Sequence, residues 1–299
     1  MKPLNLGIIG ADSSHAVAFT KLLNDSMQPY HVNGGHVTIV YPGGSPDFPL
    51  SRQRVAGFTG ELVRSFGVRI ASTPAEVAEA SDAILLLAAD GRKHKELFER
   101  IAAYGKPVFI DKPFALSSAD AMEMKRMAEA CGIPLMSCSS LRYAQSLTEE
   151  LAKGTQSDIA GAHVYGPISV EPTQGYYFWY GIHSAELLYA IMGPGCLSVT
   201  VESSETMEWI KGRWHDGRIG TIRLSRSGSY RFGALIHRKT ESVHVDTESS
   251  PKPFYSSLLE NVIGWFGTRK PALDLNETIE IIRFLEAADE SRMKGEIEL

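Results

Sequence analysis

The sequence predicts an α/β protein, a doubly wound parallel sheet followed by an α+β domain with a mostly antiparallel sheet. Three observations predict it. Short apolar runs alternate with helix-period segments through the first half of the chain. Runs of alternating polar and apolar residues take over after about residue 140. Two long amphipathic segments then close the chain. Strand and helix in strict alternation specify parallel strands with crossover helices, and strands followed by helices specify a separate α+β layer. The expected boundary divides the 299 residues into 1–138 and 139–299.

The elements follow in order. "LNLGIIG" reads as a strand and "SHAVAFTKLLND" as an amphipathic helix. "HVTIVY" is the second strand and "SRQRVAGFTGELVRSFG" the helix after it. "VRIA", the short helix "PAEVAEA" and the strand "DAILLLAA", apolar at every central position, come next. "GRKHKELFERIAAYG" predicts one helix closed by Gly105, and "KPVFID" a strand. "SSADAMEMKRMAEACG" has serine caps and ends at Gly132, before the strand "IPLMSC". Beyond it, "LRYAQSLTEELAKG" is helical. "CLSVTVESSE", "MEWIKGRW", "GRIGTIRLSRS", "SYRFGALIHR" and "ESVHVDTE" read as antiparallel strands. "FYSSLLENVIGWFG" and "LNETIEIIRFLEAADESRMKG" read as helices.

Composition excludes several classes. Hydrophobic residues are 43% and charged residues 22%, a globular composition. The net charge of −5, with acids and bases interleaved, lacks the basic surplus of a nucleic-acid binder. No apolar run reaches the roughly 18 residues that a bilayer span needs, so no membrane partner is expected. Cys131, Cys138 and Cys196 form neither a disulfide framework nor a zinc pattern, and each reads as a buried, inert thiol in a reducing compartment. The N-terminus has no signal-peptide h-region, and the expected location is the cytoplasm.

Ligands of doubly wound sheets sit beyond the carboxyl ends of the strands, and the unusual residues of this chain cluster there. The first is the turn "GADSSH", where a dinucleotide-binding protein has its glycine fingerprint. Gly10 survives; Asp12 stands at the second glycine position and His15 at the third. Asp12, Ser13 and Ser14 can cap the next helix, whose amides attract an anion. A carboxylate about 4–5 Å from a diphosphate costs on the order of a few kcal/mol at an effective dielectric near 20. Asp12 must therefore turn away, or the turn binds a dinucleotide weakly. His15 either packs and caps or reaches a ligand.

After the second strand, where an NAD site carries an acid for the ribose hydroxyls, the chain offers "VYPGGSPDFPLSRQR". Ser45, Arg52 and Arg54 can meet a 2′-phosphate, which tilts the choice slightly toward NADP. A Pro/Gly loop with solvated arginines is the alternative. In "FIDKPF", Lys112 sits between Asp111 and a proline directly after a buried strand, placed to donate to a substrate oxygen. In "WYGIHSAELLYAIMG", His183 opens an apolar helix whose dipole disfavours its cation, leaving a neutral imidazole fit to act as a base. The five aromatics "YYFWY" before Gly181 either line a cleft or, as a strand, divide between cleft and core.

These segments occur in an order that resembles the Gfo/Idh/MocA oxidoreductase family: the turn, "LAADGRKHKE", "DKP", "SLRYAQS", "GIHSAELLYAIMG" and "AADESRMKGEIEL". The resemblance runs along essentially the whole chain. It implies a Rossmann-type cofactor domain, NAD or NADP as cofactor, and a second domain with a large open sheet that packs against another subunit in a homodimer or homotetramer. The implied substrate is a small polyhydroxylated molecule such as a sugar or cyclitol. By position, Lys112 looks like the family's catalytic lysine, with Asp111 in place of a glutamate. His183 looks like its catalytic histidine, and His94 like the histidine near the nicotinamide ribose. The implied cofactor contacts are Gly10, Asp12, Ser13, Ser14, His15, Ser45, His94, Asp111 and Lys112. The implied substrate contacts are Lys112, Arg142, Tyr180 and His183. No metal is implied. Two positions depart from the family pattern, Trp179 and Glu186, each where an aspartate is expected.

The leading expectation is an NAD(P)-dependent oxidoreductase, with His183 taking the hydroxyl proton and Lys112 polarising the oxygen across a shared crevice. The alternatives are a dehydrogenase-like ligand-binding or regulatory protein without turnover, and a lyase or glycosidase that recycles its NAD.

Overall fold

The computed structural model describes residues 3–270 and 273–299. Its first sheet has six parallel strands: β1 (Leu4–Ile9), β2 (Gly35–Tyr41), β3 (Arg69–Ile70), β4 (Ala83–Leu86), β5 (Val108–Ile110) and β6 (Leu135–Ser137). Their order is β3-β2-β1-β4-β5-β6. The order reverses between β1 and β4, so the carboxyl ends of these strands form the switch point at which such sheets bind ligands. Helices α1 (Ser14–Asn24), α2 (Pro49–Phe66), α3 (Pro74–Ala80), α4 (His94–Glu99) and α5 (Ser118–Ala130) connect the strands. Every residue of β4 and β5 is buried, as expected of parallel strands covered on both faces.

Seven strands make the second sheet. After α6 (Gln145–Leu151) come β7 (Ile159–Pro167), α7 (Gly181–Met192), β8 (Cys196–Ser203), β9 (Met207–Trp214), β10 (Ile219–Ser225), β11 (Gly233–Arg238) and β12 (Ser242–Asp246). Helices α8 (Phe254–Thr268) and α9 (Leu275–Lys294) precede β13 (Ile297–Glu298). The order is β12-β11-β7-β10-β9-β8-β13, antiparallel except between β7 and β10. The expected fold class is therefore what the chain adopts.

The chain falls into two compact units. One holds the residues through Ala115, Ala119–Cys138 and Tyr255–Leu275; the other holds Leu116–Ser118, Ser139–Phe254 and Asn276–Leu299. In the second unit, helix and sheet approach closely because glycine lines the inner face. A Cβ on Gly212 would lie 3.0 Å from Phe284, and one on Gly220 would lie 2.9 Å from Leu188. Tyr189 packs on Trp214 and Phe284 at 5.6 and 5.7 Å between ring centroids. Each such buried aromatic or leucine contributes about 2–3 kcal/mol of transfer free energy.

Some expected elements differ. "GRKHKELFERIAAYG" is not one helix: 3-10 turns at Gly91–Lys93 and Ala102–Tyr104 flank a short α4, because Asp90 caps the first turn and Gly105 closes the last. "LRYAQSLTEELAKG" breaks at Ala144, whose ψ of 126° ends a 3-10 turn before α6. The aromatic run is a turn rather than a strand. Strand β7 was not expected at all: Gly161, Ala162, His163 and Gly166 mask its alternation. Cys138 and Cys196 are buried, but Cys131 is exposed, because it lies just past the end of α5.

Candidate active site

The turn after β1 keeps its shape through Gly10. Its φ is +94°, and a Cβ there would lie 2.4 Å from the Ala88 backbone nitrogen. Gly10 N donates to Tyr41 O at 2.9 Å, and Ala11 N to Pro42 O at 2.7 Å. Asp12 turns away, into the protein: it is 1% exposed, and its carboxylate accepts from Ser51 Oγ at 2.6 Å and Ala89 N at 3.0 Å. Two donors on one carboxylate offset much of its desolvation and disperse its charge. Ser13 is the N-cap of α1, its Oγ accepting from His15 N, and Ser14 is the first helical residue.

His15 is no cap. Its Nδ1 lies 2.6 Å from Asp111 Oδ2, and its Nε2 lies 2.9 Å from the Tyr255 hydroxyl. Phe19 stacks on the imidazole at 5.3 Å, and the Tyr255 ring meets it edge-on at 4.8 Å. Asp111 is 4% exposed. Burial alone would raise its carboxyl, yet the His15 and Lys112 charges and their hydrogen bonds hold it below the ordinary carboxylate range. The adjacent Lys112 is half-buried at the end of β5. Desolvation pushes its ammonium below the usual lysine range, against the pull of Asp111.

A recess at the carboxyl ends of β1, β2 and β4 is lined by Asp12, Tyr41, Gly44, Ser45, Lys93 and Arg100, among others. Lys93 and Arg100 both pair with Glu96 at its rim, at 3.2 and 2.8 Å. Ser45 Oγ is buried with no hydrogen-bond partner, an orphaned donor of the kind a ligand completes. Arg52 donates to Pro46 O instead of reaching in, and Arg54 is exposed. Tyr41 ends β2, so that position carries no carboxylate. The orphaned Ser45 hydroxyl and the basic side chains, with the Asp12 carboxylate taken up by its own donors, fit the adenosine ribose end of a dinucleotide.

His94 is fully buried, with Nδ1 2.9 Å from Pro113 O and 3.2 Å from Phe114 O, and Nε2 2.8 Å from Ala88 O. The ring ties the segment after β4 to the segment carrying Lys112. Direct contact with a cofactor would require it to give up one of these bonds.

In the second unit, His183 lies in the first turn of α7, its Nδ1 2.7 Å from Ser139 Oγ. Tyr180, at the N-cap, meets its ring edge-on at 5.8 Å, as does Phe232 at 5.7 Å. Arg142 donates to Glu186 at 2.9 Å and to Glu277 at 2.6 Å. Glu186 is 2% exposed, and burial raises its carboxyl despite Arg142. Arg142 and Glu186 thus form a buried pair, worth more as a constraint on α7 than as net stability. Of the aromatic run, Tyr177 and Phe178 are core, and Tyr176 and Tyr177 both donate to Glu208.

Sequence reading missed Tyr255, Ser51 and Ser139. Tyr255 meets His15 across 240 residues, and no periodicity or spacing links positions so far apart. Ser51 sits in the loop-to-helix segment read for Ser45, Arg52 and Arg54, and its bond to Asp12 spans 39 residues.

The chain resembles known proteins in two ways. Residues 48–137 match the family model described as oxidoreductase family, NAD-binding Rossmann fold (Gfo/Idh/MocA). No curated protein sequence matches. Solved structures match along the whole chain. A probable dehydrogenase from Thermotoga maritima is 18% identical with a TM-score of 0.78, covering 99% of this chain and 98% of that one. A myo-inositol 2-dehydrogenase from Lactobacillus plantarum is 14% identical with a TM-score of 0.79, covering 100% of both. A scyllo-inositol dehydrogenase from Lactobacillus casei, solved with NAD(H) and scyllo-inositol, is 11% identical with a TM-score of 0.79 and 99% coverage of both. The model match begins beyond the altered turn. The match to that family model is confined to residues 48–137, and along its whole length the chain shares the fold of these solved structures.

Proposed function

We propose that this protein is an NAD(P)-dependent oxidoreductase acting on a hydroxyl or carbonyl carbon of a sugar, cyclitol or related polyhydroxylated molecule. The observation that carries the reading is Lys112, a partly desolvated ammonium beside Asp111 at the carboxyl end of β5. Solved inositol dehydrogenases with the same fold support the substrate class. The nicotinamide dinucleotide, when bound, supplies the hydride acceptor or donor. Gly10, the start of α1 and Ser45 would hold it. Lys112 binds the reacting oxygen and stabilises its developing negative charge, more strongly for being partly desolvated. For the proton acceptor, the family resemblance offers His183, whose ring Ser139 steadies.

Lys112→Ala tests the reading. Turnover should fall by at least about 100-fold, while dinucleotide affinity, followed by nicotinamide fluorescence, changes little. Full activity in that variant would remove Lys112 from the mechanism. The orphaned Ser45 hydroxyl and the absence of an acid at Tyr41 favour NADP over NAD. The outer face of the second sheet, with Trp209 stacked on His163 at 5.0 Å, is the proposed contact with a second copy.

One observation favours the second reading, a ligand-binding protein without turnover: Ala11 N is already engaged by Pro42 O inside the phosphate turn. Thermal shift decides between them. No stabilisation by either NADH or NADPH at millimolar concentration would favour it.

A further inference from the structure

The third position of the glycine fingerprint holds an imidazole, and that imidazole has a partner at each nitrogen. A carboxylate only accepts, so His15 Nδ1 carries the proton shared with Asp111, 2.6 Å away. Nε2 then presents its lone pair, and the Tyr255 hydroxyl, 2.9 Å away, donates to it. Phe19 stacked on the imidazole and the edge-on Tyr255 ring keep it from swinging. Carboxylate, imidazole and hydroxyl in this order form a proton relay. The carboxylate fixes the tautomer and stabilises the imidazolium that appears when the hydroxyl gives up its proton. The carboxylate end is also the residue next to Lys112 in the chain.

We propose that Tyr255 is an acid–base residue of this site, held in position by His15 and Asp111, and that it exchanges a proton with the hydroxyl or carbonyl oxygen of a small substrate. In the oxidising direction the Tyr255 proton passes to His15 Nε2, and the phenolate oxygen takes the proton of the substrate O–H. The electron pair of that bond becomes the second bond of the carbonyl, and the carbon's hydride leaves to an oxidised nicotinamide. His15 ends as an imidazolium facing Asp111, and reduction runs the same path backwards. The assignment rests on the dehydrogenase reading for its substrate and oxidant. It replaces His183 as the proton acceptor with a group of the same unit as Lys112.

The relay can be tested without turnover. An arylsulfonyl fluoride labels phenols in proportion to their phenolate character, and peptide mass spectrometry of the full chain reads each tyrosine. Tyr230, 77% exposed, is the internal comparator. Near neutral pH, Tyr255 should label at least about tenfold faster than Tyr230, as assistance by a general base requires. His15→Gln should bring it down to the Tyr230 rate or below with the far-UV spectrum unchanged. Should His15→Gln fail to fold, Asp111→Asn carries the same comparison. Labelling of Tyr255 no faster than Tyr230, or a rate indifferent to His15 and Asp111, overturns the relay. In turnover, Tyr255→Phe should lower kcat far more than it changes KM. Fast labelling in a protein with no nicotinamide-dependent turnover would uphold the relay and sink the dehydrogenase reading. Slow labelling alongside Lys112-dependent turnover would do the reverse.

Discussion

At the scale of single residues, the site is built from charges held where water cannot fully solvate them. Asp111 shows this most directly. His15 and Lys112 outweigh burial and hold its carboxyl below the unfolded value of 3.8. The stabilisation this represents is fully present above that value and is lost as pH falls through the lower folded value. Asp111→Asn should therefore lower the urea midpoint at neutral pH, and the gap from the parent should narrow below about pH 4. A gap constant from neutral pH to acid would mean that the substitution acts through packing. Ser45 makes a second prediction at this scale. If its buried hydroxyl completes its bonding with the ribose end of a dinucleotide, Ser45→Ala should weaken NADPH binding by about fivefold to tenfold, the worth of one hydrogen bond. Calorimetric titration would show it, and unchanged affinity would place the dinucleotide elsewhere.

At the scale of elements, the first sheet was legible because each strand announces itself. "DAILLLAA" is apolar at every central position, its residues Ala83–Leu86 form the wholly buried β4, and Gly67, Gly105 and Gly132 close their helices in the left-handed region. The second sheet was legible wherever outward and inward residues alternate, as in β9 and β10. It was illegible in β7, whose glycines pack by being small, and the pattern of a strand depends on side chains. The candidate site divides along the same line. Lys112 could be read because a proline and an acid frame it at a strand end. His15 could be noticed but not assigned, because its partners Asp111 and Tyr255 come from segments 96 and 240 residues away. Gly10 supplies the prediction for this scale. A methyl there must overlap the Ala88 backbone at 2.4 Å and adopt a φ of +94°. Gly10→Ala should therefore cost on the order of 2–3 kcal/mol by chemical denaturation, or leave the protein insoluble. A loss under about 0.5 kcal/mol would show that the turn yields.

At the scale of the whole molecule, the seven-stranded sheet commits one face to helices and presents the other outward. Gly212 and Gly220 let α9 and α7 approach the inner face, while Trp209, Thr221 and Arg223 occupy outward positions on neighbouring strands. If that outer face joins two copies, Trp209→Glu should convert the sedimentation profile from dimer to monomer without loss of secondary structure. An unchanged sedimentation profile would put the contact elsewhere, and a monomeric parent would remove it. Among the described residues no helix is long and apolar enough to cross a membrane, and no cluster of three metal-ligating side chains occurs.

The tight seat of Gly10 against Ala88, just past β4, has an evolutionary corollary. Architecture alone would select for a glycine there, so a lineage that abandoned its coenzyme would retain it. Positions 12 and 15 hold a sequestered acid and a hydrogen-bonded ring, so the turn keeps its shape through one residue and draws its chemistry from the other two.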